Sequence, residues 1–351
     1  MDFTLDEDQT ALRDAARSLL KGYDPGIDAE RRRTVTGTDP GYDTVVWSRL
    51  ADAGLLGLPF SEDDGGVGAG PAEVAVVAEE IGRVLAPEPY VASVVLAGGL
   101  VAAAGSDDQR ADLLGGLAAG EHLLAYAQGE TADVVIQGAA ADTIVWQVGD
   151  ELYVAPRPEG VGSYATHDGG RAARLTFDKA TATPLGDGGD ASAAIARARS
   201  LARIAACHEA LGAMDTALRM TTAYLTTRQQ FGVTLNRFQA LTFRAADMYT
   251  DLELTRSLTT WATMVAAESD DPAALVDAAT RASLQTARAA RRIGQEAIQL
   301  HGGIGVTAEY SIGWYTARLT ALTRWLGSAG EDIATLSAGL TGYGVIDPLD
   351  A

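Results

Sequence analysis

Two strings in the second half of the chain carry residue types suited to a phosphate-bearing ligand. The first is Arg228-Gln229-Gln230-Phe231-Gly232, followed by Phe238-Gln239-Ala240. The second is Gln299-Leu300-His301-Gly302-Gly303-Ile304-Gly305-Val306-Thr307, with Glu309-Tyr310 just after it. A guanidinium grips a pyrophosphate through parallel N–H donors, and glycines let backbone N–H groups approach phosphate oxygens with no Cβ between. The Gly302–Gly305 run is not a dinucleotide fingerprint, because it closes a helical stretch instead of following a strand. His122, His167, His208 and His301 show no metal-ligand spacing, and His208-Glu209 lacks the second histidine of a zincin helix. His208 falls on an apolar stripe and reads as a core residue. His301, inside the glycine turn, stays open between phosphate contact and packing. Arg31-Arg32-Arg33 reads as a solvated charge run, and Trp314, Tyr315 and Trp325 as core or interface.

The elements that position these residues follow from hydrophobic period. Residues 1–122 read as helical. Thr4 and Glu7 suggest a capping box, and Leu12, Ala15, Ala16, Leu19 and Leu20 recur at helical spacing. Further helices are expected over Val45–Leu56 and from Pro71, with a turn-rich loop at Pro59–Gly66 and a buried helix at Val91–Ala104. Residues 123–188 form a small β module. Its strand-like runs are Asp142–Trp146, Glu151–Val154 and Ala173–Phe177, with Gly149-Asp150 as the hairpin turn between the first two. Residues 189–351 return to long helices. Leu201, Ile204, His208, Leu211, Leu218 and Leu225 trace a bundle stripe, and three more helices are expected at Phe238–Glu268, Pro272–Leu300 and Glu309–Thr341. The fold class is α+β, mainly α.

Bulk composition narrows the partners. A net charge of -20 over 351 residues disfavours nucleic acid and anionic membranes. The single cysteine, Cys207, excludes an internal disulfide and is compatible with a reducing compartment. An acidic start, MDFTLDEDQ, does not read as a secretory signal, and no uncharged run approaches a membrane span. A cytoplasmic protein is expected.

The order of helical module, β module and long-helix bundle, together with the strings above, resembles the acyl-CoA dehydrogenase family over nearly the whole chain. Trp47–Gly57 and Glu79-Glu80-Ile81-Gly82 fit its N-terminal domain. The resemblance implies FAD placed across a subunit interface, its ring against one subunit's β domain and its pyrophosphate and adenine against the neighbour. Arg228, Phe231, Gln239, Gln299, Gly302 and Gly303 would supply that adenine-side half. Phe231 and the glycines also admit a reading as bundle-interface residues alone.

What the family requires and this chain lacks is equally specific. The reaction needs a carboxylate to take the substrate's α proton as hydride passes to the flavin. Ungapped counting from Gln299 puts the usual glutamate position on Leu326, and counting back from Arg228 puts the alternative position on Ala202; neither is an acid. Glu209 lies seven residues beyond Ala202, about 10 Å along a helix axis, which is far for the same proton. Glu331 and Asp332 read as the start of the last helix. The family's flavin-ring strand is represented by Ala125–Asp133, where only Thr131 looks like a remnant, and the module is shorter than the family's. The resemblance therefore extends to the degenerate subunits of α2β2 actinobacterial enzymes of steroid catabolism, in which a catalytic partner would supply base, ring site and acyl pocket. A flavin-free structural homo-oligomer and an enzyme of different chemistry on the same scaffold are the competing readings.

Overall fold

The computed structural model describes residues 4–325 and 327–339. Asp6, not Thr4, opens the first helix, α1 (Glu7–Leu20). Its carboxylate accepts the Gln9 N–H at 2.8 Å, and the Gln9 side chain accepts the Asp6 N–H in return. The expected capping box is thus shifted by two residues, to an acid that also favours the positive end of the helix. α2 (Arg31–Thr36), α3 (Thr44–Asp52, capped by Asp43) and α4 (Pro71–Val84) follow. The apolar run after α4 is helical and buried as expected, but it begins as a wide-turned π-helix, Tyr90–Gly98. It tightens into α5 (Gly99–Ala104) before α6 (Asp107–Ala118).

Seven strands come next: β1 (Leu124–Gln128), β2 (Thr131–Ile136), β3 (Thr143–Val148), β4 (Glu151–Pro156), β5 (Tyr164–Ala165), β6 (Arg171–Thr176) and β7 (Thr183–Pro184). They form two sheets, ordered β1-β3-β4-β7 and β2-β6-β5, with β1 parallel to β3 and the other pairs antiparallel. The β3–β4 hairpin turns at Gly149-Asp150 as expected, with Gly149 at φ +63°. Trp146, Tyr153 and Phe177 pack edge-on or tilted in the core of the module, with ring centroids 5.1–5.4 Å apart. Three strands were expected; β1 and β2 were not, and both bear on the site below.

The second helical part is built on α7 (Ser192–Thr227), whose stripe residues Ile204, His208, Leu211, Leu218 and Leu225 are buried. A small hairpin, β8 (Gln229–Gln230) and β9 (Val233–Thr234), leads to α8 (Gln239–Glu268) and α9 (Pro272–His301). The expected fourth helix over Glu309–Thr341 is two helices, α10 (Ile312–Leu322) and α11 (Ala329–Gly339). Gly327, at φ +146°, lies outside helical geometry and separates them; Thr341 falls outside the described residues. α4 and α7 cross backbone to backbone. A Cβ on Gly82 would lie 1.8 Å from the Glu209 carbonyl oxygen, and one on Gly212 would lie 2.0 Å from that of Glu79. This crossing joins the first helical part to the bundle and sets the position of Glu209.

Candidate functional site

Two places gather functional side chains, one internal and one open. The internal one is a cavity of about 680 Å³ bounded by the α4–α5 segment, β1, β2, the β5–β6 loop, α7 and α10. A buried ion cluster lies along its wall. Arg318 on α10 donates from Nε to Glu209 Oε1 at 2.7 Å and from Nη1 to Asp168 Oδ2 at 2.7 Å. Arg32 on α2 donates to the carbonyl oxygens of Leu85 (2.9 Å) and Asp168 (2.7 Å). Arg32, Glu209 and Asp168 are all buried. The solvated reading of Arg31-Arg32-Arg33 is therefore corrected: Arg31 pairs with Asp43 at 2.9 Å, and Arg32 is driven inside by the two carbonyls that its planar fork can satisfy.

The cluster decides what its acids can do. Burial alone would push Asp168 up, but the charge of Arg318, hydrogen bonds from Thr166 and Arg318, and the nearby Arg32 together hold its carboxyl at about 2. Burial pushes the Glu209 carboxyl up, with Arg318 pulling against it. Geometry matters more: both Nε and Nη2 of Arg318 contact Glu209 Oε1 at 2.7 Å. Glu331 is a cap, accepting the Ser328 N–H at 2.8 Å. Asp332 is buried in an ion pair with Arg203. Each acid singled out as a substitute base thus has a structural partner. Ala202 is buried, and Leu326 lies outside the described residues. On the strand side, Arg199 from α7 donates to Tyr126 Oη (3.1 Å) and Gln128 Oε1 (3.0 Å) of β1, while Thr131 opens β2 at the cavity rim.

The open place is one end of the bundle. The C-termini of α7 and α9 meet there, since the Tyr224 ring packs on that of His301 at 4.6 Å. Arg228 follows α7 directly, Gln299 lies in the last turn of α9, and Gly302 and Gly303 follow it. Phe231 contacts Phe238 edge-on at 6.2 Å, and Gln239 is the first residue of α8. The structure therefore brings Arg228, Phe231, Gln239, Gln299, Gly302 and Gly303 to one end, and all six are exposed. Among the described residues no side chain pairs with the Arg228 guanidinium. Phe231 is 91% exposed, with a left-handed φ of +53°. Cβ atoms on Gly232, Gly302 and Gly303 would meet open space, so none of the described residues packs against these three positions. His301 does not join the open set. Its ring is buried between Tyr224 and Tyr310, with Nδ1 2.7 Å from the Ala297 carbonyl oxygen. His208 is likewise internal, its Nε2 2.8 Å from Thr263 Oγ1.

Arg32, Asp168 and Arg318 escaped the sequence reading because partners so far apart in the chain leave no local pattern.

Residues 6–121 match the acyl-CoA dehydrogenase N-terminal domain, and residues 192–340 match the acyl-CoA dehydrogenase C-terminal domain. Acyl-CoA dehydrogenase IpdE2 of Mycobacterium tuberculosis is 30% identical over 334 residues, covering 95% of this chain and 97% of that one. Its counterpart in Mycolicibacterium smegmatis is 29% identical, over 95% of this chain and 99% of its own. Among solved structures, a variant of the Tcur3481–Tcur3483 steroid ACAD superposes with a TM-score of 0.85 at 29% identity, covering 97% and 99% of the two chains. The ChsE4–ChsE5 complex from Mycobacterium tuberculosis shares the fold, with a TM-score of 0.83 at 24% identity over 99% and 100%. Layer order, bundle and matched regions agree: the chain belongs to the acyl-CoA dehydrogenase family.

Proposed function

We propose that this chain is the non-catalytic subunit of a heteromeric, FAD-dependent acyl-CoA dehydrogenase, lending the adenine and pyrophosphate half of the FAD site to a catalytic partner in an α2β2 assembly. The observation that carries this reading is the open end of the bundle, where Arg228, Gln299 and the glycines stand exposed among the described residues. Arg228 would hold the pyrophosphate, with the backbone at Gly302 and Gly303 beside it; Gln239 and Gln299 would offer amide donors and acceptors, and Phe231 an apolar face. When bound, FAD supplies the hydride acceptor for α,β-dehydrogenation of an acyl-CoA. The ring half fits this chain poorly, because Tyr126 and Gln128 of β1 are already held by Arg199.

The acids support the same division of labour. Glu209, Glu331 and Asp332 are engaged within the chain, which leaves the base to the partner. The similarity to the Tcur3481–Tcur3483 steroid ACAD makes a steroid-derived acyl-CoA the favoured substrate class. Mass by light scattering and a visible absorption spectrum test the reading, on the chain alone and after co-expression with a catalytic acyl-CoA dehydrogenase chain. Flavin and a mixed tetramer are expected only together. A yellow homo-oligomer, or a colourless one that ignores such partners, would sink it in favour of a flavin-free role or of different chemistry on this scaffold.

A further inference from the structure

Arg228 and the Gly302–Gly303 turn come from different helices, and something must set the distance between them. Among the described residues no side chain pairs with the Arg228 guanidinium, so its reach is set by its backbone. That backbone is fixed on both sides. The Arg228 N–H donates to the Tyr224 carbonyl oxygen at 2.9 Å, and the Arg228 carbonyl oxygen accepts the Leu235 N–H at 2.9 Å. The glycines have no side chain to hold, and the segment that carries them runs from His301 to Tyr310.

Tyr224, His301 and Tyr310 meet in one cluster. Ring centroids lie 4.6 Å apart for Tyr224 and His301, 5.0 Å for His301 and Tyr310, and 6.5 Å for the two tyrosines. His301 is the buried member, 3% exposed. Its Nδ1 carries the proton, because the Ala297 carbonyl oxygen 2.7 Å away can only accept. The His301–Tyr310 contact closes the glycine segment on itself, and Tyr224 ties the closed segment to the last turn of α7. The segment also folds back on His301: a Cβ on Gly305 would lie 3.1 Å from the His301 Cβ and 2.8 Å from the Ile298 carbonyl oxygen. Aromatic rings in contact favour a few tilted geometries, so such a cluster resists sliding. We propose that His301 is a positioning residue. It touches no ligand itself; through Tyr224 and Tyr310 it fixes the separation of Arg228 from the Gly302–Gly303 backbone, so that both reach one pyrophosphate. For its ligand this rests on the shared-FAD reading, whereas the clamp is a property of the single chain.

Two measurements separate the clamp from the ligand. The first is amide hydrogen exchange by mass spectrometry on the full chain alone. His301→Ala should speed exchange about tenfold both in residues 225–235 and in residues 302–311, with α4 and the β module keeping parent rates. Acceleration in one stretch alone, in neither, or uniformly through the chain overturns the proposal. Tyr310→Leu removes a half-buried ring from the edge of the cluster; it should act likewise and serves if His301→Ala does not fold. The second is FAD affinity of the complex co-expressed with a catalytic acyl-CoA dehydrogenase chain, read from flavin fluorescence as deflavinated protein is refilled. His301→Ala should weaken FAD about tenfold, as for one charge-assisted contact, and His301→Phe, which keeps a ring between the tyrosines, should restore most of it. Combined with Arg228→Ala, the loss should be clearly smaller than the product of the two single losses, because one residue acts through the other. Independent, multiplying losses overturn the positioning role. Unchanged affinity in His301→Ala beside a weakened Arg228→Ala overturns it too, and leaves the half-site standing; no effect of either substitution overturns both.

Discussion

The cavity wall and the open end of the bundle hold similar residue types and treat them oppositely. Along the cavity, Arg318 and Arg32 are consumed by Glu209, Asp168 and backbone carbonyls of the same chain. At the open end, no side chain among the described residues pairs with the Arg228 guanidinium, and Cβ atoms on the neighbouring glycines would meet open space. A cation that its own fold satisfies contributes to that fold; one left exposed beside uncovered glycines is available to something else. The contrast separates what this chain does for itself from what it offers an assembly.

The sharpest way to break the contrast is Arg318→Met. It strips Glu209 and Asp168, both nearly fully buried, of their shared counter-ion, and should cost about 3 kcal/mol in urea unfolding. Adding Glu209→Gln should recover part of the loss; a purely additive double variant would mean that the ion pair is not what Arg318 contributes. Next comes Gly82→Ala, which forces a methyl against the Glu209 carbonyl and should cost about 2 kcal/mol by overpacking the α4–α7 crossing. A change below 0.5 kcal/mol would show that the crossing can open.

The pH dependence of stability divides along a related line. The Asp168 carboxyl is held at about 2 against an ordinary 3.8, so its contribution, about 2 kcal/mol, is complete above pH 4 and lost as pH falls towards 2. Burial raises the Glu88 carboxyl to about 7 against an ordinary 4.5, so its contribution runs the other way: complete below pH 4.5 and lost as pH rises through 7. Asp168→Asn should flatten the acid limb and Glu88→Gln the limb between pH 5 and 7. If both limbs survived, other groups would have to be responsible. The smallest stability effect belongs to the open end. Arg228→Ala should leave chemical unfolding within about 0.5 kcal/mol of the parent. It should nevertheless reduce FAD retention about tenfold in the assembled complex, read from flavin absorbance after gel filtration, for loss of one charge-assisted contact. Unchanged flavin content would remove the half-site role.

Much of the fold was legible in the sequence, because long helices repeat their apolar residues and caps and prolines mark the ends. β1 was missed because Ala-Tyr-Ala-Gln lacks the β-branched density of a strand and is held by parallel pairing with β3, and β2 because its partner β6 lies some forty residues on, with a register shift between Ala132 and Val135. The break between α10 and α11 was missed because apolar period continues across it while Gly327 does not stay helical. At the open end, all six residues belong to short strings and could be named in advance. At the cavity, Arg32 looked like one of three surface arginines, and nothing near Arg318 or Asp168 in the chain announces the other.

The Arg318 cluster joins every layer of the molecule: Arg32 comes from the first helical part, Asp168 from the loop between strands, and Glu209 and Arg318 from the bundle. Pulling any one layer away would leave a charge stranded in the apolar interior. Partial opening therefore carries its own penalty, and the chain should lose its structure in a single cooperative transition.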